Sequence, residues 1–244
     1  MDNIPSTFDG QALATTFTGE GVTHVIFILD RSGSMSGKED DVIGGFNGYI
    51  DTLRDCDDGD VGVSYLRFDN AIELVWNDLP LADVPRMTHE HYQVRGNTAL
   101  LDAVGMTVAS VRENAGHRYI VITNTDGQEN ASREWTAERV RHLIREYEAK
   151  GNWTFVFFGE GIDAWAEAAQ YGYAAASVAS YGRGQYKDAF LAKARVSNVM
   201  RKNKMRSTRD FARATRSVMD NPDISDAQVE QILNANDGPA EGAP

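Results

Sequence analysis

Short apolar runs alternate along this chain with amphipathic stretches of helical period. His24 to Leu29 contains five consecutive apolar residues, the pattern of a strand buried on both faces. Val42, Ile43, Phe46, Tyr49, Ile50 and Leu53 then recur at the spacing of one helix face. Val61 to Phe68 alternates as a strand, Asp69-Asn70 supplies a turn, and Ala71 to Trp76 reads as the return strand of a hairpin. Residues 77–97 read as irregular, with Pro80 and Pro85 breaking any helix. Further on, the pattern predicts a helix over Thr98–Asn114 and a strand over Arg118–Thr123, then a helix over 134–149 and a strand over Trp153–Phe158. A short helix at Ile162–Gln170, a last strand at Ala175–Ser180 and a helix over 184–203 follow. Phe211, Val218, Val229 and Ile232 support two more short helices, and 236–244 should be disordered.

This order of elements predicts a doubly wound α/β fold. The sheet should be mostly parallel with one antiparallel edge strand, covered by helices on both faces and followed by a helical C-terminal extension. The expected divisions are a lead-in over 1–20, the α/β domain over 21–203 and the extension over 204–244. A length of 244 residues, 42% of them hydrophobic, accommodates one such domain with its own core.

Charge adds a second feature. The net charge is −12, yet residues 181–220 carry eleven Lys and Arg against three acids. That segment is +8, the body over 1–180 is −15, and the tail after 220 is −5. The basic stretch 183–216 is expected to dock on an acidic protein surface, this protein's own body included. Nucleic acid is the competing partner, weakened by the scarcity of aromatic side chains for base stacking. The one cysteine, Cys56, excludes an intrachain disulfide, and its acidic neighbours would raise a thiol pKa and so disfavour a nucleophile. Met1-Asp2-Asn3-Ile4-Pro5 does not read as a secretory signal, and no apolar run approaches the ~18 residues of a membrane helix. A cytoplasmic protein is expected, or a virion-associated one if it is phage-encoded.

Candidate chemistry gathers just after the buried strands. Leu29 is followed by Asp30-Arg31-Ser32-Gly33-Ser34-Met35, which sets one carboxylate and two hydroxyls along a single turn. Open α/β sheets bind ligands at the carboxyl ends of their strands, where this turn falls. Thr98, in Arg95-Gly96-Asn97-Thr98, offers a third hydroxyl, and Thr125-Asp126-Gly127 follows another buried strand. The donors are all oxygen, which suits Mg²⁺, with Mn²⁺ or Ca²⁺ as alternatives, and does not suit Zn²⁺.

Asp30-x-Ser32-x-Ser34, then Thr98, then Asp126 before Gly127 resembles the metal-ion-dependent adhesion site of the von Willebrand factor A (vWA) family. The resemblance covers roughly residues 20–180 and is to small stand-alone bacterial or phage members. It implies that Ser32, Ser34 and Thr98 contact a metal through hydroxyls. Asp30 and Asp126 would act directly or through water, and a partner's Asp or Glu would fill the open position. The family's common second glycine before the threonine is replaced here by Arg95. The implied function is a non-enzymatic, metal-dependent protein-binding module or adaptor. Against it stand a structural or accessory role in a phage particle or other assembly, docking through the basic segment, and a metal-dependent hydrolase.

Asp30, Ser32 and Ser34 suit a turn and helix cap, but that leaves Thr98 and Asp126 as coincidences. A phosphoryl-transfer aspartate needs a second acid at position 32, which is Ser. Chain positions 89–91, His-Glu-His, suit an exposed loop better than a metal site. Trp76, Trp135, Trp153 and Trp165 read as core or helix anchors, and Gly44-Gly45 as a point of close helix packing on the sheet.

Overall fold

The computed structural model describes residues 6–8, 13, 16–55, 60–126, 128–160, 169, 171, 173, 178–181, 186–202 and 208–234. Cys56, Gly127, Trp165, the expected helix Ile162–Gln170 (save position 169) and the tail 236–244 lie outside the described residues.

Seven strands form one sheet: β1 (Ser6–Thr7), β2 (Thr23–Asp30), β3 (Val61–Phe68), β4 (Ile72–Pro80), β5 (Arg118–Asn124), β6 (Trp153–Glu160) and β7 (Val178–Tyr181). Their order across the sheet is β1-β4-β3-β2-β5-β6-β7. β2 lies between β3 and β5 and is parallel to both, and β6 and β7 continue the parallel set. β4 runs antiparallel to β3 and to the two-residue β1, which covers part of its outer edge. The fold is therefore α/β and mostly parallel, with one strand reversed.

The helices are α1 (Glu39–Arg54), α2 (Leu100–Ser110), α3 (Ala137–Ala149), α4 (Tyr186–Lys202), α5 (Thr208–Asp220) and α6 (Asp226–Asn234). Val42, Phe46, Tyr49, Ile50 and Leu53 are the buried face of α1, as their spacing predicts. Glu39, Asp40 and Asp41 place negative charge at its N-terminal end, where the helix dipole favours it. Side chains of α1, α4, α5 and α6 join one hydrophobic cluster on one sheet face; α2 and α3 contribute to a second cluster on the other.

Several elements depart from the sequence pattern for physical reasons. β3 alternates in sequence yet is buried throughout, because Ser64 and Arg67 have internal partners. Ser64 Oγ accepts the Asp78 N–H at 2.9 Å, and Arg67 binds Glu73 and the His91 carbonyl. β4 extends four residues past Trp76, with an irregular register against β3 and Asp78 at φ +49°. α2 begins at Leu100 because the Thr98 backbone is engaged by Asn130. It ends at Ser110 because Val111 turns into a bridge with Leu13.

The close helix approach falls at Gly48, where an added Cβ would lie 3.0 Å from Leu191 of α4, whereas Gly44 faces open space. Trp76 and Trp153 are core residues. His89 and His91 sit in a turn and do not converge: His89 faces Asp40, and His91 accepts the Thr88 N–H.

At the amino end of the parallel strands a buried polar chain links four segments. His24 Nδ1 lies 2.7 Å from Asp78 Oδ1, His24 Nε2 lies 2.9 Å from His117 Nδ1, and His117 Nε2 lies 2.7 Å from the Gly19 carbonyl. Thr16 closes the other Asp78 oxygen at 2.6 Å through its N–H. These bonds fasten the lead-in to β2, β4 and the entry to β5.

Cations of the basic stretch turn inward. Lys193 of α4 is buried, with its amine 2.9 Å from the centre of the Phe158 ring. Arg195 binds Asp226 and the carbonyls of Pro222 and Ile224; Arg213 binds Asp210 and the Ile232 carbonyl. These side chains hold the C-terminal helices together, so charge that reads as a docking face in sequence is partly spent inside the fold.

Candidate metal centre

The chain passes from β2 through α1 to β3 on one side, and later returns to β5 on the other. The carboxyl ends of β2 and β5 therefore meet at a topological switch point, the usual ligand position in such sheets. Asp30 is the last residue of β2, and Asp126 lies two residues beyond β5.

Asp30 is fully buried. Its Oδ1 accepts the Ser32 N–H at 2.6 Å, and its Oδ2 accepts the Thr125 hydroxyl at 2.5 Å. Burial pushes its carboxyl up to about 6; the bonds from Thr125 and Ser32 pull it down, and the nearby charge of Asp126 adds to the rise. Ser32 Oγ lies 3.0 Å from Ser34 Oγ, and the Ser34 hydroxyl donates to Asp126 Oδ1 at 2.7 Å. Four of the five expected residues are thus joined in one hydrogen-bonded chain, in which Asp30 is reached through the Ser32 backbone N–H. The Lys38 ammonium donates to Asp126 Oδ2.

The fifth, Thr98, is not part of that chain, but the loop before it is tied to the same turn. Gly33 N–H donates to the Gly96 carbonyl at 3.0 Å and Arg95 N–H to the Arg31 carbonyl at 2.6 Å, tying that loop to the Asp30–Ser34 turn. Gly96 has φ +72°, and a Cβ there would meet Asn70 Oδ1 at 2.6 Å, so the approach requires glycine. Thr98 is buried; its N–H donates to Asn130 Oδ1 at 3.0 Å, and its carbonyl accepts the N–H groups of Asn130 and Ala131. The segment after Asp126 is pinned in turn. Glu129 accepts the N–H groups of Leu101, Ala131 and Ser132, and Asp102 accepts those of Arg133, Glu134 and Trp135.

Beside the turn lies an ion network. Arg31, nearly inaccessible, reaches Glu73 at 2.6 Å and Asp69 at 3.0 Å, and Arg95 reaches the same two acids at 2.6 Å each. Burial would raise the Glu73 carboxyl, but hydrogen bonds from Arg31 and Arg67 outweigh it and hold it below its usual value. Arg95, where the resemblance expects glycine, is thus a brace for the site loop.

The donor set fits a hard cation. Asp30 is an ionisable group that accepts from neutral donors among the described residues, Asp126 already attracts an ammonium, and the remaining atoms are hydroxyl oxygens. Among the described residues no three His, Cys, Asp or Glu side chains gather as a metal cluster, so such a cation would rely on few charges. Lys38, Thr125 and Tyr92, whose hydroxyl donates to the Asp30 carbonyl, were not among the expected site residues. Of these only Thr125 carried a signal, its place beside Asp126.

No protein-family model matches the chain, and no curated protein matches it. Solved structures do. Proximal thread matrix protein 1 from the mussel byssus, in a structure with zinc in its metal-ion-dependent adhesion site, aligns at TM-score 0.51 and 16% identity. The match covers 72% of this chain and 46% of that one. A von Willebrand factor type A protein from Catenulispora acidiphila aligns at TM-score 0.50 and 18% identity, covering 72% and 42%. The pilus adhesin SpaC from Lactobacillus rhamnosus GG aligns at TM-score 0.59 and 10% identity, covering 76% and 31%. The fold is the vWA fold. The chain spans less than half the length of these three structures.

Proposed function

We propose that this chain is a divalent-metal-dependent protein-binding module without catalytic activity. The observation that carries the reading is the hydrogen-bonded chain Asp30–Ser32–Ser34–Asp126 at the switch point of a vWA fold. Ser32, Ser34 and Thr98 would hold Mg²⁺ or Mn²⁺ through hydroxyls, with Asp30 and Asp126 ligating directly or orienting them. The mussel protein, which carries zinc at its adhesion site, and the pilus adhesin support the direction of the reading. With two carboxylates against a divalent ion, the metal keeps Lewis acidity toward an outside oxygen, and a partner's Asp or Glu is the natural ligand. Thr125 and Tyr92 fix Asp30, and the Glu129 and Asp102 brackets hold the Thr98 side, so the protein's part is preorganisation.

The test is calorimetric titration with Mn²⁺ and Mg²⁺ on the wild type and Asp126→Ala, followed by partner capture with EDTA or with Mg²⁺. One metal per chain, lost in the variant without loss of fold, together with EDTA-sensitive capture, is the expected result. Equal metal uptake by both proteins, or by neither, would overturn the reading.

A further inference from the structure

We propose that Lys38 is a tethered cation that a metal must displace from Asp126, so that metal and a partner's anionic group are taken up together. The inference rests on the metal-site reading above and adds to it a residue that sets metal affinity.

The position of Lys38 needs explaining. It is the N-cap of α1, makes no capping hydrogen bond with its side chain, and follows Gly37, whose φ is +83°. A basic residue at a helix N-terminus opposes the helix dipole, so its own helix gains nothing from the charge. The ammonium instead reaches across to the segment after β5 and binds Asp126 Oδ2, a contact spanning 88 positions in sequence. The Asp126 side chain is 2% exposed and the Lys38 side chain 24%. A nearly buried carboxylate thus meets a cation that arrives from the solvent side.

Both Asp126 oxygens are engaged, Oδ1 by Ser34 and Oδ2 by Lys38. Ser34 belongs to the short helical turn Gly33–Met35, whose N–H groups are fixed to Gly96 and Ser32. Lys38 hangs on a flexible four-carbon stem. When a divalent ion enters, the ammonium is the group that can leave, and the stem keeps it close. The charge count then favours an anion: two carboxylates, one metal and one retained ammonium leave a net +1. Metal alone must evict a cation and then endure its repulsion. A carboxylate arriving with the metal neutralises that surplus, and the two ligands strengthen each other by the same factor.

The experiment uses Mn²⁺ as the probe on the full chain, comparing wild type, Lys38→Met, Lys38→Gln and Lys38→Arg at low salt. Removing the charge should tighten Mn²⁺ binding roughly tenfold or more, the scale of one nearby unit charge at partial burial. Lys38→Arg should stay near wild type. Amine-reactive labelling of wild-type Lys38, read by mass spectrometry, should rise when Mn²⁺ is added, because the ammonium leaves Asp126. Equal or weaker Mn²⁺ binding by both neutral variants, with metal still bound by the wild type, overturns the proposal and leaves the metal-site reading standing. Absence of Mn²⁺ binding in every protein overturns both.

Discussion

Asp30 shows what a buried carboxylate costs before its ligand arrives. Its carboxyl is pushed up to about 6 mainly by burial, so ionisation at neutral pH works against the metal-free fold. Because the folded pKa lies above the unfolded one, this residue's contribution to stability is full below about 4 and lost as pH rises through about 6. Asp30→Asn should retain an oxygen for the Ser32 N–H while removing the charge. In EDTA at pH 7.5 its melting temperature should rise by a few degrees, equivalent to about 1–3 kcal/mol, and its metal binding should vanish. A lower melting temperature in the absence of metal would count against the argument. Lys193 poses the opposite case. Burial holds its amine well below the usual lysine value, so the folded chain binds that proton less tightly than the unfolded chain does. Its contribution is present above the unfolded pKa near 10.4 and lost as pH falls toward the folded value. Lys193→Met should raise stability at neutral pH by about 1 kcal/mol or more and flatten its dependence on pH below about 10, measured by urea denaturation.

At the scale of elements, α2 and the loop leading to α3 form the bracket behind Thr98. Gly105 sits on α2 beneath Trp135, and a Cβ there would fall 2.1 Å from the ring. Elsewhere in a helix, Gly→Ala gains about 1 kcal/mol. Here Gly105→Ala should instead destabilise by about 1–3 kcal/mol, as overpacking does, and shift the Trp135 fluorescence. An unchanged or higher melting temperature would show that the ring yields freely. The sequence disclosed those elements whose pattern is local. β2 and β5 read as continuous apolar runs, and Asp30, Ser32, Ser34 and Asp126 stood directly after them, so their gathering followed from parallel pairing. What stayed hidden depends on distant partners. Residues 77–97 read as irregular, yet His24 and Thr16 satisfy Asp78 and let β4 continue to Pro80. Lys38 carries no signal in sequence, because nothing near it marks Asp126 as its partner. Arg195 and Arg213 look like a basic face until α5 and α6 supply their carbonyls.

On the scale of the whole molecule, the two ends of the sheet are built differently. The carboxyl end gathers oxygen donors and charge at the switch point, while the amino end closes over His24, His117 and Asp78 with the lead-in bound across them. That lead-in also decides how the molecule behaves among its own copies. β4 would otherwise present a bare row of amides and carbonyls, the template on which another chain's strand can pair. β1 takes its first positions, Phe8 donates to Ile72, Thr16 occupies Asp78, and the left-handed turn at Asp78 bends the remainder away from a straight ladder. The margin of the sheet is thus partly covered by its own polypeptide, which works against fibrous growth along that side in a concentrated solution.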